Sequence, residues 1–466
     1  MIRNLVLAGT LALALMGAGW PTNGHAVLIP TDGGPTLAVD ASTLFHTVAS
    51  DFFLERDGTV YVQTGDIPAM WLRDSAAQTL PYVRFASEDP AFAGLARRVI
   101  EHESRNILTD PYANAFTAGY KVWEQKWEVD SLAFPVTLLW VYWQRTHDAS
   151  VFTPRLHWML QRIVSTYRCE QHHATCSRYF YGELPHGGRG APFGQTGMIW
   201  SGFRPSDDAC IYPFNIAQNM LAVVALHEVS VLAERGFGDR ALANDAAGLA
   251  LEVRSAVERF GRVYIMGIGW IYAYEVDGLG NAVAMGDANL PNLIAATYFG
   301  YLSPDDALYR ATRRFVLSSA NPYFYHAGYA EGLGSAHTPA GWVWPLGLIT
   351  RSLTAESPGE AADGLRALAA TDGSDGLIHE SFDPRRPWHF TRAEFGWANA
   401  MYAELVFRAA AGVPAERFAP AQARRSVLRT AQTPVLALQV LQWENRGAIE
   451  MARGRLSSAL FGMRLP

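Results

Sequence analysis

Apolar residues recur at the helical period in eight segments of this chain, which limits the fold to one built mainly from α-helices. Between these segments lie stretches rich in Gly, Pro, Asp and aromatic residues, which are typical of loops. The predicted helices cover residues 132–143, 156–167, 216–232, 241–260, 290–301, 307–317, 343–353 and 397–411. This pattern predicts an all-α helical toroid whose loops gather at one end.

Extended segments are few. Residues Thr59–Gln63 and Val263–Tyr274 have the alternation expected of short β-hairpins within the loops. An α/β barrel is the alternative fold, but it needs eight parallel strands, and few β-branched runs are long enough to supply them.

The composition favours one large domain, predicted over residues 27–411. The 466 residues contain no Gly/Ser-rich or charged linker, and 49% are hydrophobic, which is enough to fill a core. The formal net charge is -6, and Lys and Arg are scattered along most of the chain. Nucleic-acid binding is therefore not expected.

The N-terminus resembles an export signal over residues 1–26. Arg3 precedes an apolar run from Leu5 to Trp20, and small residues follow up to a cleavage site near Ala26. An uncleaved anchor is the alternative, although the run is short for a membrane span. Either interpretation places the rest of the chain outside the cytoplasm. With the signal removed, we expect a periplasmic or secreted protein without stable membrane insertion.

The C-terminal extension, residues 412–466, is basic, with eight arginines and three glutamates. It is interpreted as a solvated appendage of unknown role, and an amphipathic helix that touches anionic surfaces is the alternative. The sequence leaves the oligomeric state open.

Three cysteines are present, and two of them are close in sequence. Cys169 and Cys176 suit a disulfide in an exported protein, which leaves Cys210 free. His172 and His173 lie between them, so a zinc site is the alternative, although the cysteine spacing is wider than zinc sites use.

The strongest chemical signal is a pair of adjacent carboxylates, Asp207 and Asp208, in an aromatic loop, with Glu380 on a later loop. Hydrolysis of a glycosidic bond needs one protonated and one ionised carboxyl group, which such residues can provide. We expect packing against Trp200 and Phe203 to raise the pKa of the acid and solvent to keep Glu380 ionised. A helix-capping turn and a loop-anchoring acid are the structural alternatives.

Further loops combine carboxylates, aromatic residues and hydrogen-bond donors, a composition that suits the apolar face and hydroxyl groups of a sugar. Each residue also has a structural alternative, such as an Arg73–Asp74 ion pair, a helix cap at Asp130 or a turn at His337. The candidate substrate-binding residues are Asp66, Trp71, Arg73, Asp74, Asp130, Arg204 and His337. No serine-hydrolase elbow, phosphate loop or zinc helix is present, so hydrolysis by carboxylates alone, without a cofactor, is the simplest interpretation.

Four segments, 64–75, 200–209, 334–339 and 379–382, resemble glycoside hydrolase family 125, the metal-independent exo-α-1,6-mannosidases. The resemblance runs from Phe45 to Phe407. It implies an (α/α)6 barrel, an inverting mechanism, and release of single non-reducing mannose units from α-1,6-linked mannosides, including parts of N-glycans. It places the general acid on the Asp207–Asp208 pair, with Asp207 favoured, and the general base on Glu380.

The sequence departs from the family at two places. Gly286 precedes Asp287-Ala-Asn289 where relatives have a second aspartate, so one polar contact near the pocket is expected to be absent. The basic extension also passes the usual end of the family.

Two other functions fit the same residues. One is another exo-acting glycosidase of helical-barrel fold, an α-glucosidase or trehalase, because paired carboxylates and aromatic platforms do not identify the sugar. The other is an exported glycan-binding protein that keeps the pocket without turnover.

Overall fold

The computed structural model describes residues 22–23, 26–29, 36–373 and 375–410. Most of the predicted export segment and the whole basic extension, 412–466, lie outside the described residues. The interpretations of these two segments, and the boundaries of the catalytic domain, stay predictions.

Helices make up most of the regular structure that the described residues form, and two short 3-10 turns, Ala149–Val151 and Leu293–Ala296, add to them. The α-helices are α1 Ala41–Ser50, α2 Leu72–Val83, α3 Pro90–Thr109, α4 Val129–Thr146, α5 Pro154–Gln171, α6 His173–Cys176, α7 Pro185–Gly188, α8 Ile216–Phe237, α9 Arg240–Phe260, α10 Ala307–Val316, α11 Pro345–Leu353, α12 Pro358–Ala370 and α13 Gly396–Ala410.

The strands are short and form small antiparallel sheets at the loops. They are β1 Thr22–Asn23, β2 Ala26–Ile29, β3 Leu37–Asp40, β4 Phe52–Leu54, β5 Val60–Val62, β6 Met70–Trp71, β7 Ala115–Phe116, β8 Val122–Glu124, β9 Phe214–Asn215, β10 Arg262–Ile265, β11 Gly269–Tyr272, β12 Glu275–Val276, β13 Ala282–Val283, β14 Phe324–Ala327, β15 Ala330–Leu333, β16 Ser381–Asp383 and β17 Arg386–Thr391. The β4–β5 and β10–β11 hairpins overlap the two predicted hairpins. Three sheets have three strands, so the expectation of hairpins alone was too simple.

Seven of the eight predicted helices are confirmed, and the eighth, 290–301, is wrong for most of its length. There the chain forms only the 3-10 turn Leu293–Ala296, whose first turn is capped by the side chain of Asn292. Gly300 then has a φ of 83°, in the left-handed region, which ends the helical path.

Helices α1, α2, α3 and α12 and the four-residue helices α6 and α7 were not predicted. The apolar face of α3 is interrupted by polar residues that are nevertheless buried, among them His102, Glu103 and Asn106. Helix α2 is buried on every side, and its buried residues include the polar side chains of Arg73, Asp74, Ser75, Gln78 and Thr79, so its apolar residues do not mark a helical period.

Six elements pack in sequence around the centre of the described chain. Helix α2 contacts α4, α4 contacts α8, α8 contacts the 3-10 turn Leu293–Ala296, that turn contacts α11, α11 contacts α13, and α13 contacts α2 again. Helix α8 is long and apolar enough to cross a membrane, but it is mostly buried against its neighbours α4 and α9, as a core helix is.

Candidate active site

A cavity of about 430 Å³, measured with its open mouth, lies where the N-terminal ends of several of these central elements meet. Trp71 ends β6, directly before α2, and Arg73 and Asp74 lie in the first turn of α2. Phe395 and Trp397 flank the first residue of α13. The lining residues are Thr64, Ile67, Trp71, Arg73, Asp74, Pro205, Ser206, Asp207, Asn289, His337, Trp344, Glu380, Arg392, Phe395 and Trp397. Asp207 and Glu380, 173 positions apart in the sequence, thus face one cavity.

The two adjacent aspartates lie in a tight turn and contact different residues. The backbone pairs across the turn at Phe203 and Ala209, and Asp207 has a φ of 63°, in the left-handed region that Asp tolerates better than most residues. Asp207 accepts hydrogen bonds from Trp71 Nε1 and Arg73 Nη2, each at 3.1 Å. Asp208 accepts instead from Ser206 at 2.7 Å and contacts His337 Nδ1 at 3.3 Å. Of the two, only Asp207 lines the cavity.

Arg73 connects Asp207 to three more carboxyl groups. Its Nη1 donates to Glu128 Oε2 at 2.6 Å and to Asp130 Oδ2 at 3.2 Å, and its Nε lies 3.3 Å from Asp74 Oδ2. Arg73, Glu128 and Asp130 are almost completely buried, so these charges are shielded little by solvent. The predicted Arg73–Asp74 ion pair is present as part of this larger cluster.

The cluster moves pKa values in both directions. Burial raises the pKa of Asp74 and of Asp130 to about 6, although Arg73 opposes the rise. Burial also raises the pKa of Glu128 well above its ordinary value. Burial acts in the same sense on Asp207, but the charge of Arg73 and hydrogen bonds from its neighbours outweigh it and hold the pKa of Asp207 below its ordinary value.

The expectation that aromatic packing raises the pKa of Asp207 is therefore wrong. Trp200 stacks on His173 with ring centroids 3.8 Å apart, and Phe203 packs edge-on to Tyr181. The nearest strong influence on Asp207 is a guanidinium group, which stabilises the ionised carboxylate.

Glu380 lies immediately before β16 and is 8% exposed. Its backbone N–H donates to the Thr391 carbonyl at 3.3 Å, and its Oε1 lies 3.9 Å from Arg392 Nη1. Burial raises the pKa of Glu380, and Arg392 partly offsets this. A buried carboxylate with a raised pKa on the cavity wall is suited to accept a proton from water.

Arg392 was missed by the sequence analysis. It has a φ of 55°, donates to the Asp66 carboxylate and to the Thr64 carbonyl, and lies over the Phe395 ring. His379, next to Glu380 in sequence, hydrogen-bonds the Arg392 carbonyl at 3.1 Å. A lone arginine in a hairpin gives no periodic signal, and only its nearness to aromatic residues hinted at this role.

Three of the predicted substrate-binding residues do not line the cavity. Asp66 is held by Arg392, Asp130 lies behind Arg73, and Arg204 is paired with the buried Glu275 through Nε at 2.5 Å and Nη2 at 3.1 Å. In each case the charged group of the predicted residue is paired with a side chain of opposite charge. Trp71, Arg73, Asp74 and His337 do line the cavity.

Gly286 does not face the cavity, contrary to the expectation of a lost polar contact there. A Cβ at this position would meet Val316 and the Asn321 amide, and Asn321 hydrogen-bonds the Gly286 backbone in both directions. The polar contact to the cavity comes from Asn289, which donates to the buried Asp287 at 2.9 Å.

Cys169 and Cys176 form a disulfide, so these sulfurs do not hold zinc, and Cys210 is a buried free thiol. The bridge encloses Glu170 and His173, which hydrogen-bond each other at 2.6 Å. Because Glu170 also accepts from Tyr112 and His173 stacks on Trp200, the bridged segment supports the start of the loop that carries Asp207.

A cavity with tryptophan walls and carboxyl groups from separate loops is the site of a glycoside hydrolase. Residues 38–407 match the family of metal-independent α-mannosidases, GH125, and the chain belongs to this family. The resemblance noted in the sequence is thereby confirmed.

Two relatives illustrate the membership. The meiotically up-regulated gene 157 protein of Schizosaccharomyces pombe is 34% identical over 386 residues, which cover 74% of this chain and 75% of that protein. A metal-independent α-mannosidase of Streptococcus pneumoniae, solved in a non-productive complex with α-1,6-mannobiose, is 38% identical. That structure superposes with a TM-score of 0.76 and covers 80% of this chain and 93% of its own.

A more distant similarity concerns the fold alone. A bacterial glucoamylase solved with acarbose is 14% identical, with a TM-score of 0.56 over 80% of this chain and 55% of its own. The chain is thus a mostly helical, metal-independent α-mannosidase of the glycoside hydrolase class.

Proposed function

We propose that the protein is an inverting exo-α-1,6-mannosidase that releases terminal mannose from α-1,6-linked mannosides such as N-glycan fragments. The observation that carries this proposal is the shared cavity of Asp207 and Glu380 in a member of the α-mannosidase family. The linkage is supported by the S. pneumoniae relative, which was solved with α-1,6-mannobiose. Almost fully buried side chains, such as Trp71, Arg73 and Trp397, form part of the wall, which suits a pocket that ends beyond the terminal sugar.

In this proposal Asp207 is the general acid and Glu380 the general base. Asp207 protonates the glycosidic oxygen while Glu380 removes a proton from the water that attacks the opposite face of the sugar. Asp208 is assigned a supporting role, because it orients His337 from outside the cavity. Trp71, Arg73, Asp74, Asn289 and His337 are proposed to hold the terminal mannose.

We propose that the architecture is an (α/α)6 barrel. The closed series of contacts among α2, α4, α8, the turn Leu293–Ala296, α11 and α13 supports an inner ring of six elements. Helices α3, α5, α9, α10, α12 and α1 alternate with them along the chain and supply the outer layer.

NMR of the first sugar released from α-1,6-mannobiose tests sugar, linkage and stereochemistry together. We expect β-mannose to appear first, because inversion converts the α-linkage into the β-anomer. First appearance of α-mannose would refute inversion. Hydrolysis of an aryl α-glucoside in place of the α-mannoside would favour the α-glucosidase alternative.

Replacement of Glu380 by Gln separates a hydrolase from a glycan-binding protein. We expect turnover to fall by about 100-fold or more, since a general base contributes at least this much, while calorimetry still detects mannobiose binding. If the wild type and Glu380→Gln both form product only at the background rate, the protein binds glycans without hydrolysing them.

We also propose that the protein is exported to the periplasm or secreted. The Arg3 and Leu5–Trp20 pattern supports this, and so does the Cys169–Cys176 bridge, because disulfides persist in oxidising compartments. Mass spectrometry of the N-terminus of the protein from fractionated cells tests cleavage near Ala26. A full-length N-terminus in the cytoplasmic fraction would contradict export.

A further inference from the structure

Glu128 has no part in the roles assigned above, yet it belongs to the Asp207 cluster. It caps the start of α4, and its side chain is completely buried. Its Oε2 accepts hydrogen bonds from Arg73 at 2.6 Å and from Ser131 at 2.9 Å. Its Oε1 is also buried and receives a hydrogen bond from no donor among the described residues.

The charges of the cluster do not balance if every acid is ionised. Asp74, Glu128, Asp130 and Asp207 would carry four negative charges around the guanidinium group of Arg73. Two more distant cations also act on the cluster, Lys126 and Arg392, but each is paired with an acid of its own, Glu124 and Asp66. Excess charge at a buried site is costly, and carboxyl groups there bind protons instead. The cluster therefore retains protons at pH values where free carboxyl groups have lost them.

The hydrogen bonds indicate where a proton resides. Asp207 receives bonds from both Trp71 and Arg73, which stabilises its ionised form. Three carboxyl oxygens of the cluster lack a donor among the described residues, Asp74 Oδ2, Glu128 Oε1 and Asp130 Oδ1. Of these three acids, Glu128 is the one whose side chain lies within hydrogen-bonding reach of the Asp207 carboxylate, so a proton on Glu128 can be donated to Asp207. Burial, together with that hydrogen bond to Asp207, raises the pKa of Glu128, in agreement with this assignment.

We propose that Glu128 stores the proton that Asp207 delivers to the glycosidic oxygen. The inference rests on the proposed function, with Asp207 as the acid. The O–H bond of Glu128 breaks as one forms on Asp207, and this proton passes to the glycosidic oxygen as its bond to the anomeric carbon breaks. Water supplies hydroxide to the sugar and a proton to Glu380. Afterwards Glu380 loses this proton to solvent and Glu128 takes one up from solvent, which restores the starting state. Glu128 is thus a positioning residue that acts through Asp207.

The variant Glu128→Gln tests the proposal with two substrates. The amide keeps the size and can donate a hydrogen bond, but it has no proton to transfer. On α-1,6-mannobiose, whose leaving group needs protonation, we expect kcat to fall by about 100-fold or more. On dinitrophenyl α-mannoside, whose leaving group departs without an acid, kcat should stay within about threefold, and Glu128→Asp should recover part of the lost activity.

Glu103→Gln is the matched control. Like Glu128, Glu103 is buried, and one of its carboxyl oxygens accepts a hydrogen bond from a serine, Ser75, while the other oxygen has no donor among the described residues. Burial raises the pKa of Glu103 to about 8. Glu103 is not one of the acids paired with Arg73, so its replacement should leave the ratio of the two rates unchanged. A Glu128→Gln protein that keeps its mannobiose activity, or that loses both activities equally, would overturn the proposal. Failure of the wild type to hydrolyse mannobiose would refute the proposed function instead.

Infrared spectroscopy gives a test that does not need the glutamine variant to fold. The wild-type protein at neutral pH should show the carbonyl stretch of protonated carboxylic acids, which include Glu103 and Glu228 because their pKa values are about 8. In the difference spectrum between the wild type and Asp207→Asn these two bands should cancel, and the Glu128 band should appear at a shifted frequency, because its hydrogen-bond acceptor changes. A difference spectrum without a shifted carboxylic acid band would contradict the proposed contact.

Discussion

The pKa values of individual carboxyl groups at this site depend on burial and on the charges beside them. Arg73 lowers the pKa of Asp207, whereas burial raises the pKa of Glu380 and Arg392 only partly offsets the rise. The sequence analysis expected the acid to have the raised pKa. It did not find these effects because they depend on which cation lies near each carboxylate, and Arg392 comes from a hairpin without a recognisable pattern.

Removal of the Arg392 charge should shift the pH dependence of catalysis. Glu380 acts as a base only when ionised, so kcat/KM falls as the pH drops through its pKa. The variant Arg392→Met removes the positive charge that lies 3.9 Å from Glu380 Oε1. The pKa of Glu380 should then rise further, and we expect the acidic limb of kcat/KM to move up by about one pH unit. Arg386→Met, on the same hairpin but largely exposed, should leave the profile unchanged. An unmoved acidic limb in Arg392→Met would show that Arg392 does not tune the base.

At the level of the elements, the loops before the central helices carry the site, and the sequence located most of them. The segments 64–75, 200–209 and 334–339 all contribute lining residues, as their mixture of carboxylates and aromatic residues predicted. Trp344 and Trp397 were assigned only to helices, because a tryptophan in a helical pattern is usually a core residue, and Phe395 was not singled out. Their position at a helix N-terminus, and not their identity, brings them to the cavity.

The close approach of two loops at Gly65 should be necessary for activity. Gly65 has a φ of 57°, and a Cβ there would overlap the carbonyl of Glu394, to which Asp66 N–H donates at 3.1 Å. Gly65→Ala should therefore displace Arg392 from Thr64 and Asp66 and lower kcat/KM by about 100-fold. Steady-state kinetics on an aryl α-mannoside measure this effect.

Gly267→Ala is the control for backbone strain, since Gly267 has a φ of 81° but open space around it. We expect it to cost about 1 kcal/mol of unfolding free energy without loss of activity. Equal activities of Gly65→Ala and Gly267→Ala would show that the close approach of the two loops at Gly65 is not needed for activity.

Across the whole molecule, the core contains acids that no sequence period predicts. Glu103 and Glu228 lie on helices and hydrogen-bond Ser75 and Thr137, and burial raises the pKa of each to about 8. The helical fold was predictable because most helices have one apolar face. Helices α2 and α3 were not, because their buried faces include such polar side chains.

Glu228 should make the protein less stable as the pH rises. Its pKa is about 8 in the folded protein and near 4.5 in the unfolded chain, so between these values only the folded state keeps the proton. The free energy of unfolding then falls with rising pH by on the order of 1 kcal/mol per unit for this group, and levels off above pH 8. In Glu228→Gln, urea unfolding at several pH values should show a slope smaller by this amount. Glu234→Gln, exposed on the same helix, should keep the wild-type slope, and an unchanged slope in Glu228→Gln would refute the assignment.

The contacts of Arg73 also have a consequence for biosynthesis. A ribosome releases Arg73, Glu128 and Asp130 well before it has added Asp207, so the nascent chain holds this arginine with only part of its final set of anions. The segment that ends with Asp130 therefore keeps an incomplete cluster until the loop that carries Asp207 has been translated.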